Sequence, residues 1–379
     1  MKKEIGGEFH LPLSFLFREQ VNQFDKFITN GPKCFLTSSG RDSLKLIIKI
    51  LGLSHTDEVL LPAYLCQEML IPFQEERVNF AFYKVNCNLV ADIDDIKVKI
   101  SGNTKALLVI HYFGYRQPVE EIRKSFKEHS IYLIEDTAQS FLTKYNGQFL
   151  GRSGDLAFTS FRKFLPVLDG SLLVINRGGP RNDFEWRTPS LRHFSYLCLR
   201  YLGMKSKNLY LKTHLVPKPV FLYIFRAADK MLNKYPKPAK MSSLSKRVLY
   251  TFDFDDIILK RRRNFQHLLD NWRSDIIQPV FRELPADVCP LGFPVFSKDR
   301  DYVKHNLIER RIYPPVHWNL PLDISKEEFG LSWEISRHIL TIPIDQRYEL
   351  SEMDYILKQI HEIDMSLSKT TKGNRANCL

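Results

Sequence analysis

Between residues 33 and 176 the chain alternates short apolar runs with amphipathic stretches. KCFLTSS (33–39), EVLLPAY (58–64), NFAFYKV (79–85), ALLVIHYF (106–113), IYLIED (131–136), LAFTSF (156–161) and GSLLVIN (170–176) have strand length and β-branched or aromatic content. Between them, RDSLKLIIKILGL (41–53) and PVEEIRKSFKEH (118–129) place apolar residues at the i, i+3, i+4 spacing of a helix. This alternation predicts an α/β fold, with a mostly parallel sheet flanked by helices. In such sheets ligands sit at the carboxyl ends of the strands. Chemistry is therefore to be sought immediately after each apolar run.

Beyond Gly178 the pattern changes to long, basic, helix-like segments broken by prolines at 217, 219, 236 and 238. DDIILKRRRNFQHLLDNWRSD (255–275) predicts one long helix. Short strands (292–296, 338–344) and helices (299–311, 351–363) follow. The pattern predicts a large domain over 1–262, a smaller C-terminal α+β domain over 263–365 and a frayed polar tail over 366–379. No apolar stretch nears the ~20 residues that cross a bilayer. MKKEIGGEFH runs into acid and glycine where a secretory signal would be apolar. A cytoplasmic protein is expected.

With 44% hydrophobic and 26% charged residues, the chain can bury a real core and is not expected to be disordered. The net charge of +12 is unevenly spread: residues 177–263 hold 20 Lys and Arg against 6 Asp and Glu. A basic segment interleaved with aromatics suits nucleic acid, an anionic membrane surface or a phosphorylated small molecule. A solvated helical face is the plainer alternative. The six cysteines are scattered, with no CxxC pair and no histidine at metal-ligand spacing, so free thiols and no metal site are expected.

Three strand ends carry suggestive chemistry. Ser38-Ser39-Gly40-Arg41 opens a helix, whose free N–H groups and dipole suit a phosphate, or serve as an ordinary N-cap. Asp136 ends a buried apolar strand and calls for a cationic partner, unless it caps the next segment. Lys163, in Ser160-Phe161-Arg162-Lys163 followed by FLPVL, has apolar surroundings in which a lysine amine attacks a carbonyl; the alternative is a surface lysine. Together a phosphate-binding helix start, an acid for a protonated ring nitrogen and a Schiff-base lysine are what a pyridoxal 5'-phosphate (PLP) site requires.

LTSSGRDSL (36–44), DEVLLPAYLC (57–66), VIHYFGYRQPVEEI (109–122), IEDTAQSF (134–141), GDLAFTSFRKFLPVLDGSLLVIN (154–176), RIYPPVHWNLPL (311–322) and ILTIPIDQRY (339–348) carry a resemblance over most of the chain. The sequence resembles the DegT/StrS-type sugar aminotransferases, which are fold-type-I PLP enzymes. The resemblance implies that Lys163 forms the Schiff base, Asp136 holds the pyridinium nitrogen and Gln139 lies near the ring oxygen. It implies that Ser39, Gly40, Arg41 and Ser160 hold the phosphate, that Tyr64 or Cys66 covers the ring, and that His111 and His317 face the substrate.

The resemblance implies a homodimer that moves an amino group, from glutamate, onto a nucleotide-linked keto-sugar. A dehydratase of the family would carry histidine in place of Lys163. Another PLP reaction, or a non-catalytic regulatory or membrane-associated relative, are the competing readings. The basic segment lies outside every piece assigned to the cofactor, so a nucleotide diphosphate or an anionic membrane face is its expected partner, and nucleic acid is not.

Overall fold

The computed structural model describes residues 4–11, 15, 17–28, 32–126, 130–177, 191–232 and 238–370. A two-residue strand, β1 (Ile5–Gly6), precedes seven strands that form one sheet. These are β2 (Lys33–Thr37), β3 (Glu58–Pro62), β4 (Asn79–Tyr83), β5 (Thr104–Ile110), β6 (Tyr132–Asp136), β7 (Leu156–Phe158) and β8 (Ser171–Ile175). Their spatial order is β2, β8, β7, β6, β5, β3, β4. Every pairing is parallel except those of β8, which runs antiparallel to both β2 and β7. Each expected strand of this region is present, and the carboxyl ends of β5, β6 and β7 are adjacent.

Strand β2 leads into α1 (Gly40–Leu51), whose N-cap is Ser39; its side chain accepts from the Asp42 N–H at 3.2 Å. Leu44, Ile47, Ile48 and Leu51 bury the inward stripe of α1 against the sheet. After β8, α2 (Leu191–Thr213) and α3 (Lys218–Leu232) form a helical hairpin. Pro217 separates the two helices. Pro219 falls in the first turn of α3, where its missing N–H costs nothing. Positions 178–190 and 233–237 of the basic segment, with Pro236, lie outside the described residues.

Helix α4 (Phe254–Asn271) leads to an antiparallel three-stranded sheet of β9 (Gln278–Pro279), β10 (Phe293–Phe296) and β12 (Ile339–Ile342). The two-residue β11 (Ile312–Tyr313) lies between them in sequence and pairs in parallel with β1. Ile5 thereby joins a core built from Phe265, Val303, Ile342 and Ile356, so the start of the chain packs with its last hundred residues. Gly6 sits at φ +96°, and a Cβ there would lie 2.5 Å from the Tyr313 carbonyl oxygen. Only glycine fits that crossing. Helix α5 (Leu350–Thr370) carries the backbone through the first residues of the expected polar tail; 371–379 lie outside the described residues. Among the described residues no helix is long and apolar enough to cross a membrane.

Candidate active site

A cleft of about 730 Å³ opens at the carboxyl ends of the central strands. Ser39, Gly40 and Arg41 from the start of α1, Asp136 from β6, and Ser160 and Lys163 after β7 all line it. Residues 161–163 form one 3-10 turn, in which side chains three apart eclipse one another; Ser160 precedes it and Lys163 ends it. Ser160 and Lys163 thus face the same space. Gly170, at φ +131°, closes the loop after the lysine, and a Cβ there would collide with Met241 and Phe161.

Asp136 is buried, and one carboxylate oxygen accepts the Ala138 N–H at 2.7 Å. Burial pushes its carboxyl up, while the positive charge of Lys163 and the Ala138 N–H pull the other way. Behind it, His111 does not reach the cleft. Its Nδ1 accepts the Gln117 N–H at 3.0 Å and its Nε2 lies 2.8 Å from Glu135 Oε2. The expectation that His111 meets substrate is therefore corrected: side chains alternate along a strand, and Ile110, one residue earlier, is the one that lines the cleft. With both nitrogens engaged, His111 braces Glu135. Burial alone would push that carboxyl up, but the His111 bond and the Gly154 N–H bring it below its usual range.

Tyr64 is also displaced from its expected place. It is fully buried, packed against Tyr112 and Trp318 at ring separations of 5.6 and 5.5 Å. Cys66 does line the cleft, and burial raises its thiol to about 11. Among the aromatic residues that line the cleft is Trp318, whose ring centroid lies 5.7 Å from Lys163 Nζ. Trp318 was missed because it arrives from a loop 155 positions after the lysine; the PPVHW motif was its one sequence signal. Its neighbour His317 lines the cleft as expected, with Nδ1 2.8 Å from Thr341 Oγ1.

Gln139 is buried and is not among the residues that line the cleft, so it does not take the place expected of it beside the ring; its Oε1 accepts the Phe113 N–H at 2.8 Å, and its Nε2 has no partner among the described residues. Arg162, also unforeseen as a cleft residue, is held by Tyr196 and Asp229, both at 3.2 Å. The opposite wall is the segment Gly6–Phe9, whose Gly7 and Glu8 carbonyls accept from Arg347 at 3.1 and 3.2 Å.

His317 carries a pH signature. Burial, followed by the Lys163 charge, lowers its pKa from 6.5 to about 3. Below about pH 6.5 the unfolded imidazole takes a proton that the folded one refuses, so stability falls as pH drops toward 3. Between about pH 7 and pH 5 this amounts to about 2 kcal/mol. Chemical denaturation at both pH values should show that extra loss in the wild type and not in His317→Gln. Equal losses would assign the acid sensitivity elsewhere.

The cleft suits PLP on its own residues. An anion meets the N-terminus of a 12-residue helix at Ser39–Arg41, an aldehyde meets the Lys163 amine, and a protonated ring nitrogen meets a buried carboxylate.

Known proteins with related sequences and folds point the same way. A dTDP-3-amino-3,6-dideoxy-alpha-D-galactopyranose transaminase of Aneurinibacillus thermoaerophilus is 24% identical over 92% of this chain and 91% of its own. A GDP-4-keto-6-deoxy-D-mannose 3-dehydratase of Escherichia coli O55:H7 is 27% identical over 78% of this chain and 76% of its own. A Streptococcus pneumoniae structure solved in a PLP form superposes with a TM-score of 0.72 at 14% identity, over 96% of this chain and 99% of that one. Residues 18–210 match the DegT/DnrJ/EryC1/StrS aminotransferase family, and that family uses PLP. The chain belongs to the DegT/DnrJ/EryC1/StrS aminotransferase family.

Proposed function

We propose that the protein is a PLP-dependent aminotransferase that moves an amino group from glutamate to a keto-sugar carried on a nucleotide, for the synthesis of polysaccharides or glycoconjugates. The observation that carries the reading is the convergence of Lys163, Asp136 and the Ser39–Arg41 helix start on one cleft. The transaminase relative supports the substrate class. The dehydratase relative supports a second reading, against which the retained Lys163 stands.

Bound PLP supplies an electron sink for the pair left behind when the amine-bearing carbon loses its proton. The protein does the rest. Lys163 would tether the cofactor through its amine and, once the substrate's amine displaces it, would take and return the proton of the amine-bearing carbon. Asp136 keeps the ring nitrogen protonated. Ser39, the Gly40 and Arg41 N–H groups, and Ser160 would hold the phosphate. Trp318 and Cys66, which line the cleft, would bound the space the ring takes. His317, unprotonated at working pH, is held by Thr341 and orients the sugar. The reading includes a homodimer working in the cytoplasm, and sedimentation tests the assembly.

Purified protein loaded with PLP should be yellow, lose its visible band on adding L-glutamate with release of 2-oxoglutarate, and regain it on adding the right nucleotide keto-sugar. A protein that takes up no PLP would sink the proposal. Dehydration of the sugar with no response to glutamate would establish the second reading in its place.

A further inference from the structure

Helix α2 of the α2–α3 hairpin is built inside out. On α2 the residues turned inward are His193, Tyr196, Arg200, Met204 and Lys207, all buried, and three of the five are cationic or ionisable bases. Their charges are met by partners far away in sequence. Arg200 reaches Glu8 at 3.1 Å and Asp229 at 3.6 Å, and Lys207 donates to the Glu8 carbonyl. At the hairpin end Lys218 pairs with Glu4 at 3.0 Å. The outward stripe is the reverse. Phe194, Leu202 and Leu209 are 63%, 51% and 43% exposed, and they follow the 3.6-residue repeat together with Lys205 and Lys212. On α3 the outward positions are Tyr223, 73% exposed, with Arg226 and Lys230. A folded chain does not ordinarily bury arginine while exposing phenylalanine and leucine along the same helix.

We infer that the outer face of this hairpin docks on an anionic lipid surface. Charge decides between the candidate occupants. Asp229 is the one acidic residue between 191 and 232, and it is turned to Arg162 and Arg200. The outer face therefore presents cations and apolar side chains with no acid between them. A second copy docking through this face about a two-fold axis would set that patch against itself, placing like charges together. Nucleic acid would meet the lysines but leave the phenylalanine and leucines without a partner. An anionic membrane matches both halves: headgroups meet Lys205, Lys212, Arg226 and Lys230, and the apolar stripe enters the acyl boundary. The proposal is independent of the reaction in the cleft. Its consequence is positional, because Leu222 of α3 lines the cleft while the adjacent Tyr223 faces outward. Docking sets the cleft mouth next to the bilayer surface.

Flotation of the whole protein with vesicles tests this. It should float with vesicles of phosphatidylcholine and phosphatidylglycerol in equal parts, much less with phosphatidylcholine alone, and less as salt rises. The pair Lys205→Glu and Lys212→Glu should lower partitioning roughly tenfold or more. The triple change Phe194→Ser, Leu202→Ser and Leu209→Ser should lower it even at low salt, and PLP uptake should stay unchanged in both variants. Absence of binding to the anionic vesicles, or binding that neither variant alters, would overturn the proposal. So would conversion of a dimer to a monomer by the triple change, which would identify a second copy as the occupant, or preferential retention of the protein on duplex DNA.

Discussion

Lys163→Ala should leave a folded protein that binds PLP without a covalent link and transaminates about 10⁴-fold more slowly. The effect is large because one amine does two jobs. It holds the cofactor in place, and it stands where the substrate's proton must be taken and returned. His317 lies nearby but is a poor substitute: its ring is held by Thr341, and burial, the main cause of its low pKa, persists in the variant. Borohydride treatment followed by mass spectrometry separates the two jobs. Wild type should acquire a permanent adduct on the peptide holding Lys163, and the variant should acquire none. Added ethylamine should restore part of the lost rate, since a free amine can carry the proton but cannot be positioned. Retention of full activity by the variant would remove Lys163 from the mechanism altogether.

The strands and the site's axis were legible in the sequence because both depend on local pattern. Seven apolar runs of strand length appear as seven strands, and parallel pairing of β5, β6 and β7 brings their carboxyl ends to one edge. Asp136, Ser39 and Lys163 follow directly, since each stands at the end of a strand. His111 was misjudged for a reason of geometry: a strand-end motif gives the neighbourhood, but the two-residue side-chain period decides which residue faces in, and the cleft takes Ile110, just before HYFG. Tyr64 was misjudged because it packs instead on Tyr112 and Trp318, a contact made across the fold. Trp318 and the Gly6–Phe9 wall lay beyond local reading because each arrives through a long-range crossing. The β1–β11 pair joins residues 5 and 312.

The basic segment shows the same limit from another side. Its cations read as one solvated or ligand-facing population. Their partners Glu4 and Glu8 lie 192 to 214 positions earlier, so no local pattern could divide the buried cations from the exposed ones. Once divided, the segment loses its apparent excess around the cleft. Arg162 and Arg200 share Asp229, Arg200 also meets Glu8, and among the described residues Lys205, Lys212, Arg226 and Lys230 of the outer stripe form no ion pair.

Asp136→Asn should lower kcat by about 10²–10³ while leaving the covalent link to Lys163 intact. Asparagine keeps the size of the side chain and an oxygen to accept the Ala138 N–H. It cannot hold a proton on the ring nitrogen by charge. Stability should move the other way. Burial raises the Asp136 carboxyl above its ordinary value of 3.8, so the unfolded chain gives up this proton more readily than the folded one does. The contribution of this group to stability is thus present at low pH and lost as pH rises through the folded pKa. At neutral pH the carboxylate is a burden on the cofactor-free protein, relieved only in part by Lys163. Thermal unfolding of cofactor-free Asp136→Asn near neutral pH should give a Tm equal to or above that of the wild type, and addition of PLP should raise it less. A variant with unchanged kcat would deny Asp136 its place opposite the ring nitrogen. A variant with a lower Tm in the absence of PLP would instead make the Asp136–Lys163 pair a source of structural stability. The two readouts together separate a residue retained for chemistry from one retained for the fold.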